Sequence, residues 1–273
     1  MIRFSLVGPL RTGSSLLSRC LDDHPELICL CESEINRALF GEYYLKLHFQ
    51  RMRKHGLHPF DIMGLLDRKE QDSVADFERW NDEAYVLLKK KYGKPEAVGF
   101  GDKSPDFYRT PVLCDHVISE HRLIYTSRDP RAVFRSIQAD DTSQIEKDRR
   151  WLSFLENFRH WKQFLRRENV LIMKFEDLVS DPEQWMNNAH AHLGVSPSDR
   201  YRETFPRAFP ERFLWKGVTE RANEGVSFSA DKSDRWKYDL AEEEILQVEK
   251  SDAVHEIMAR FGYLTWHEMA SVT

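Results

Sequence analysis

No stretch of this chain is apolar over anything near the ~20 residues that a membrane-crossing helix needs. Its N-terminus, Met-Ile-Arg-Phe-Ser-Leu-Val-Gly, lacks a basic segment followed by an apolar stretch and a small-residue cleavage site. Cysteine is scarce. Cys20, Cys29, Cys31 and Cys114 are the four in 273 residues, and Cys29-x-Cys31 has no second ligand pair at metal spacing. Neither a zinc site nor a disulfide framework is indicated. The simplest reading is reduced, partly buried thiols in a cytoplasmic protein with no metal. A basic excess is also missing. The formal net charge of -5 argues against broad nucleic-acid binding, which needs a dense basic surface. Any anion site must therefore be local, built from a few placed Arg and Lys side chains. Internal repeats, low-complexity tracts and Gly/Ser linkers are absent too, so the expectation is one domain over residues 1–273.

What is present is the composition of a folded enzyme, 41% hydrophobic and 31% charged. Four short β-rich runs stand out at 2–7, 97–101, 122–126 and 170–173, each followed by a helix-like pattern. Such alternation predicts an α/β fold of three layers, with helices on both faces of a central, mostly parallel sheet. Ile35, Leu39, Tyr43 and Leu47 lie on one stripe of a helix predicted over 35–52, and a second helix is predicted over 76–92. The cluster Lys89-Lys90-Lys91 then falls in a solvated last turn, where the helix dipole favours cations. Trp151, Leu155, Phe158, Trp161 and Leu165 mark a third helix. Ser180-Asp181-Pro182 has the cap-then-proline order of a helix start. Asp239-Leu-Ala-Glu242 offers a capping box for a last helix that Gly262 closes.

The informative segment runs Phe4-Ser-Leu-Val-Gly8-Pro-Leu-Arg11-Thr12-Gly13-Ser14-Ser15. It reads as a strand, a tight glycine-containing turn, then a helix opening on small hydroxyl residues. That geometry aims unpaired backbone N–H groups and the positive helix end at one point, where a phosphate can sit. Gly8-x4-Gly13 has the glycine spacing of a nucleoside-triphosphate P-loop, yet Ser14 stands where that motif demands Lys. The missing lysine speaks against ATP or GTP. A cation is offered instead by Arg11, inside the loop.

Arg11-Thr-Gly-Ser-Ser-Leu-Leu resembles the 5′-phosphosulfate loop of sulfotransferases that use 3′-phosphoadenosine 5′-phosphosulfate (PAPS), in the Arg-initiated form of the tyrosylprotein-type and many bacterial enzymes. Leu123-Ile-Tyr-Thr-Ser-Arg128-Asp-Pro-Arg, followed by Ser136, is a second match. In the family, Arg and Ser at this separation bind the 3′-phosphate that distinguishes PAPS from ATP. Val170-Leu-Ile-Met-Lys-Phe-Glu176-Asp177-Leu resembles a third family segment, which bears on fold more than chemistry. Lys232 and Arg235, before Trp236, sit where the family places a basic loop that closes the nucleotide pocket.

The same resemblance implies catalytic roles. Glu32 keeps the separation from Arg11 shown by the base of the tyrosylprotein enzymes, with Glu34 as the neighbouring alternative. Lys103, in Gly101-Asp-Lys-Ser-Pro105, resembles the Lys that stabilises the transferring group, and Arg11 serves the developing bridging charge. His116 and His121 are reserve candidates for the base, more in keeping with structural roles. The expectation is sulfuryl transfer from PAPS, leaving 3′-phosphoadenosine 5′-phosphate (PAP), onto a hydroxyl or amine of a small-molecule acceptor. Phe40, Tyr43, Tyr44, Phe107, Tyr108 and Trp215 are either pocket lining or core. The alternatives are a P-loop-fold kinase and a PAP-binding protein without turnover.

Overall fold

The structure, a computed structural model, describes residues 1–33, 74–105, 107–204 and 231–272. Five strands, β1 (Ile2–Val7), β2 (Leu27–Cys31), β3 (Gly99–Lys103), β4 (Arg122–Ser127) and β5 (Val170–Lys174), form one sheet in the order β2-β3-β1-β4-β5. Every neighbouring pair is parallel. Side chains alternate between the two faces, and each face is apolar, so both must be covered. On one face Phe4, Leu6, Leu27, Cys29 and Ile124 meet α1 (Ser14–Asp22) and two later helices, α6 (Phe175–Ser180) and α7 (Pro182–Leu193). On the other, Val7, Ile28, Leu30, Leu123 and Tyr125 meet α2 (Val74–Lys91), α3 (Pro111–Glu120), α4 (Pro130–Gln138) and α5 (Gln144–Trp161). The expected three-layer α/β sandwich is therefore present.

Local signals set the helix ends. Asp129 caps α4 by accepting a 2.9 Å hydrogen bond from the Arg131 N–H, with Pro130 in the first turn. Asp181 does the same for α7 through the Gln184 N–H at 3.0 Å, and Gly194 ends that helix at φ 68°. Lys89-Lys90-Lys91 lies in the last turn of α2, as expected. All four cysteines are free and buried, and burial pushes the Cys31 thiol up to about 12.

Three expectations need correction. β2 has no counterpart among the β-rich runs. Leu27-Ile-Cys-Leu-Cys31 is a strand buried on both faces, and such a short strand has no alternation to announce it. The expected last helix is two, α8 (Glu242–Glu249) and α9 (Asp252–Phe261), and α10 (Trp266–Val272) follows beyond Gly262. α8 is capped at Ala241 instead of Asp239, with the Glu244 carboxylate accepting from the Ala241 N–H at 2.9 Å. The helix expected over 35–52, with Glu34, Phe40, Tyr43, Tyr44 and Trp215, lies outside the described residues. Phe107 is core rather than pocket lining, 1% exposed, and Tyr108 packs partly buried against the same cluster.

Candidate active site

β1 is the central strand, with β3 and β2 on one side of it and β4 and β5 on the other, so the carboxyl ends of β1, β3 and β4 border a crevice of the kind where α/β sheets bind ligands. The turn after β1 is shaped by three left-handed positions, Gly8 at φ 118°, Arg11 at φ 66° and Gly13 at φ 82°. A side chain at Gly8 would come within 2.5 Å of the Thr126 carbonyl oxygen, so the turn can lie directly against β4 only with glycine there. Thr12 braces the turn: its hydroxyl donates to the Pro9 carbonyl at 2.7 Å and lies 2.7 Å from the Thr126 hydroxyl. The Thr12 side chain is thereby committed to the loop, which leaves its backbone N–H for an anion. Gly13 then caps α1, and Ser14 and Ser15 open it with no acidic residue in the first turn. An unopposed helix N-terminus faces the crevice.

Among the described residues, the only non-glycine residues in the left-handed region are Arg11 and Glu32. Such positions cost of order 1 kcal/mol each and persist where the surroundings over-determine them. Arg11 stands in the turn after β1. Glu32 stands just past the end of β2, so it is placed by a strand end. Its N–H donates to the Lys103 carbonyl at 2.7 Å, and its carboxylate pairs with the Lys103 ammonium. Lys103 ends β3 and is 4% exposed. Burial alone would lower its pKa, but the Glu32 charge more than compensates and the ammonium is held above its ordinary value. Next to it, burial pushes the Asp102 carboxyl up to about 6, although Ser33 donates to it through both its N–H and its hydroxyl, the latter at 2.8 Å.

Arg128 leaves the end of β4, and its guanidinium lies 4.2 Å from the centre of the Phe175 ring while donating to the Arg11 carbonyl at 3.3 Å. Phe175 also sits beneath Gly13, where any side chain would strike its ring. One aromatic ring thus supports both the turn after β1 and the guanidinium after β4. Two cations, Arg11 and Arg128, and a helix N-terminus converge there on a chain that is acidic overall.

A family model described as Sulfotransferase family matches residues 4–199. The chain belongs to the sulfotransferase family. It is 22% identical over 200 residues to a protein-tyrosine sulfotransferase of Drosophila melanogaster, a match covering 70% of this chain and 38% of that protein. The chain thus matches well under half the length of this curated relative. Among solved structures it is similar to the sulfotransferase domain of the Synechococcus PCC 7002 olefin synthase (TM-score 0.63, 19% identity, 96% of this chain and 94% of that one). It is also similar to a sulfotransferase domain from the curacin biosynthetic pathway (TM-score 0.58, 17% identity, 96% and 97%). The family resemblance read from the motifs is borne out.

In this sulfotransferase the remaining expected site residues fall as follows. Ser136 lies near the end of α4, two turns beyond Arg128, and is partly buried. Arg235 is exposed, and the side chain of Lys232 lies outside the described residues. The segment that carries them is anchored along α4: Trp236 stacks 4.0 Å from the Arg131 guanidinium, and Asp239 accepts from Arg135 at 2.7 Å. Arg131 is itself fixed by Asp129 at 2.6 Å and Glu249 at 2.7 Å. His121 precedes β4 with its Nδ1 2.9 Å from the Ser5 hydroxyl, and both it and His116 face Glu78.

Sequence reasoning missed several supports. Asp140 pairs with Arg11 and, at 2.5 Å, with Arg150. Glu176, expected to matter for fold alone, accepts from the Asp129 N–H at 3.0 Å and the Tyr263 hydroxyl at 2.9 Å. Burial raises its pKa. The signal for Glu176 was its family segment, whereas nothing in the sequence pairs residue 140 with residue 11.

Proposed function

We propose that this sulfotransferase moves the sulfuryl group of PAPS onto a hydroxyl or amine of a small-molecule acceptor, with Glu32 as general base. The observation that supports the reading is the ion pair of Glu32 with Lys103 at the ends of β2 and β3, next to the strand whose following turn carries Arg11, with Glu32 and Arg11 both on left-handed backbone. In the free protein the Lys103 ammonium is neutralised by Glu32. An arriving sulfuryl group brings anionic oxygens that compete for Lys103, and the Glu32 carboxylate is then available to the acceptor. The acceptor oxygen or nitrogen attacks sulfur in line while its proton passes to Glu32. The bond from sulfur to the bridging oxygen breaks, and its electron pair leaves with PAP. Arg11 and the N–H groups of the turn neutralise the charge that develops on that oxygen. Arg128 with Ser136 supplies the fork and hydroxyl suited to a 3′-phosphate.

A P-loop kinase would need a lysine where Ser14 stands, so that reading is not favoured. Calorimetric titration with PAP, PAPS and ATP tests the donor, and equal affinity for PAP and ATP overturns it. A screen of hydroxyl- and amine-bearing acceptors with radiolabelled PAPS tests turnover. Within it, Glu32→Gln should keep PAP affinity and lose about 10²–10⁴ in rate. If that variant turns over normally, the base lies elsewhere.

A further inference from the structure

At the amino-terminal edge of the sheet, far from the turn after β1, three ligand-bearing side chains meet that the reaction does not use. Glu78 comes from α2, His116 from α3, and His121 from the residue that ends α3 just before β4. Glu78 Oε1 and the two histidine Nε2 atoms all lie within 4.8 Å of one another. His116 Nε2 is 2.5 Å from Glu78 Oε1 and His121 Nε2 is 3.6 Å from it. No spacing in the sequence announces the cluster, because 38 residues separate Glu78 from His116.

The surroundings treat these atoms as ligands. The His121 side chain is 5% exposed, and its Nε2 faces Glu78 Oε1 at 3.6 Å, longer than a hydrogen bond, so this buried nitrogen lacks a close protein partner. Its other nitrogen is 2.9 Å from the Ser5 hydroxyl, the kind of outer contact that fixes the tautomer and ring orientation of a metal-binding histidine. Glu78 is held the same way. Its Oε2 pairs with Arg3 Nε at 2.5 Å, which leaves Oε1 to face the two imidazoles. Arg3 is in turn balanced by Asp82 at 2.9 Å. Glu78 and His116 are 17% and 19% exposed, so an ion could enter from solvent. The four buried thiols offer no competing soft site.

We propose that Glu78, His116 and His121 bind a divalent first-row transition ion, zinc in the first instance, with the remaining coordination position open to water. Two imidazoles and one carboxylate are a donor set that zinc takes in tetrahedral or five-coordinate geometry. The ion would tie α2, α3 and β1 together at the edge of the sheet opposite the sulfuryl site. It would act as a structural clamp and not as part of the transfer.

The test uses the tag-free, chelator-stripped full chain. Zinc is titrated calorimetrically, and cobalt(II) is added as a visible-absorption probe of coordination. Expected are one equivalent of zinc, d–d bands of a four- or five-coordinate cobalt ion, and a rise in the midpoint of thermal unfolding. His116→Ala, at a partly exposed position, should keep the far-ultraviolet circular dichroism of the parent, weaken zinc at least 100-fold and abolish the thermal rise. Glu78→Gln should do likewise. Ser5→Ala should weaken zinc by about tenfold, the range for losing an outer contact. Absence of zinc binding at 100-micromolar concentration, or binding undiminished in both His116→Ala and Glu78→Gln, overturns the proposal.

Discussion

A single methyl group at Gly13 should damage both halves of the anion site at once. The backbone there is at φ 82°, a region that costs a residue with a side chain about 1 kcal/mol. An added methyl would also strike the Phe175 ring well inside van der Waals contact. Phe175 cannot simply yield, because it is buried in the cluster beneath α1 and carries the Arg128 guanidinium on its face. Overpacking of this kind costs about 1–3 kcal/mol, and a displaced cation–π pair a further ~0.5–2 kcal/mol. Gly13→Ala should therefore lose roughly 2.5–6 kcal/mol in urea-denaturation stability, and PAP affinity should fall by more than tenfold. The diagnostic arm is a double-mutant cycle with Phe175→Leu, which removes the ring edge that the methyl meets. Gly13→Ala/Phe175→Leu should be less destabilised than the sum of the single variants by ~1–3 kcal/mol. Additivity within about 0.5 kcal/mol would refute the idea that Phe175 links the two segments.

Other outcomes follow from the same geometry. Arg128→Ala removes a charged partner worth ~1.5–3 kcal/mol, so PAP should bind tenfold or more weakly by calorimetry while ATP affinity changes little. Arg11→Ala should retain PAP binding through the backbone N–H groups but lose turnover in the radiolabelled PAPS assay. Glu34→Gln, the neighbouring control, should leave turnover near that of the parent; if it is the inactive variant and Glu32→Gln the active one, the register of the base is wrong. Asp102 titrates near 6 when folded against 3.8 in the unfolded chain, so its contribution favours folding below pH 4 and is lost as pH rises through 6. At 1.36 kcal/mol per unit this is about 3 kcal/mol. Asp102→Asn should flatten the stability profile from pH 4 to 7 in urea denaturation, and an unchanged slope would contradict it.

The architecture was legible where apolar runs were long or bounded by caps. β1 coincided with its expected run, and β4 and β5 ran one residue past theirs. The Asp181-Pro182 start of α7 was read directly from its cap. β2 escaped because five residues buried on both faces show no period, and two of them are cysteines, which carry little strand signal. That omission left Glu32 without a strand to place it, although its separation from Arg11 had already singled it out. Residues whose function depends on distant partners were not legible at all. Asp140 meets Arg11 across 129 residues, and Glu78 meets two histidines only because α2 and α3 pack side by side. Such contacts are created by the sheet order, which no local pattern encodes.

The placing of β1 between β3 and β4 also governs when the molecule can become competent. In β1, Ile2 pairs with Gly99 and Phe4 with Arg122, so both of its hydrogen-bonded edges wait for chain about a hundred residues further on. Closing a loop of that length costs roughly 4 kcal/mol in chain entropy before either ladder repays it. The phosphate turn inherits the delay, because Thr12 and Gly8 take their positions against Thr126. β1 is therefore completed late, and a partly refolded chain carries an open β1 with the turn after it unformed. Nucleotide binding then reports completion of the sheet, and ligand added during refolding should raise the yield by trapping that last state and not by speeding the early ones.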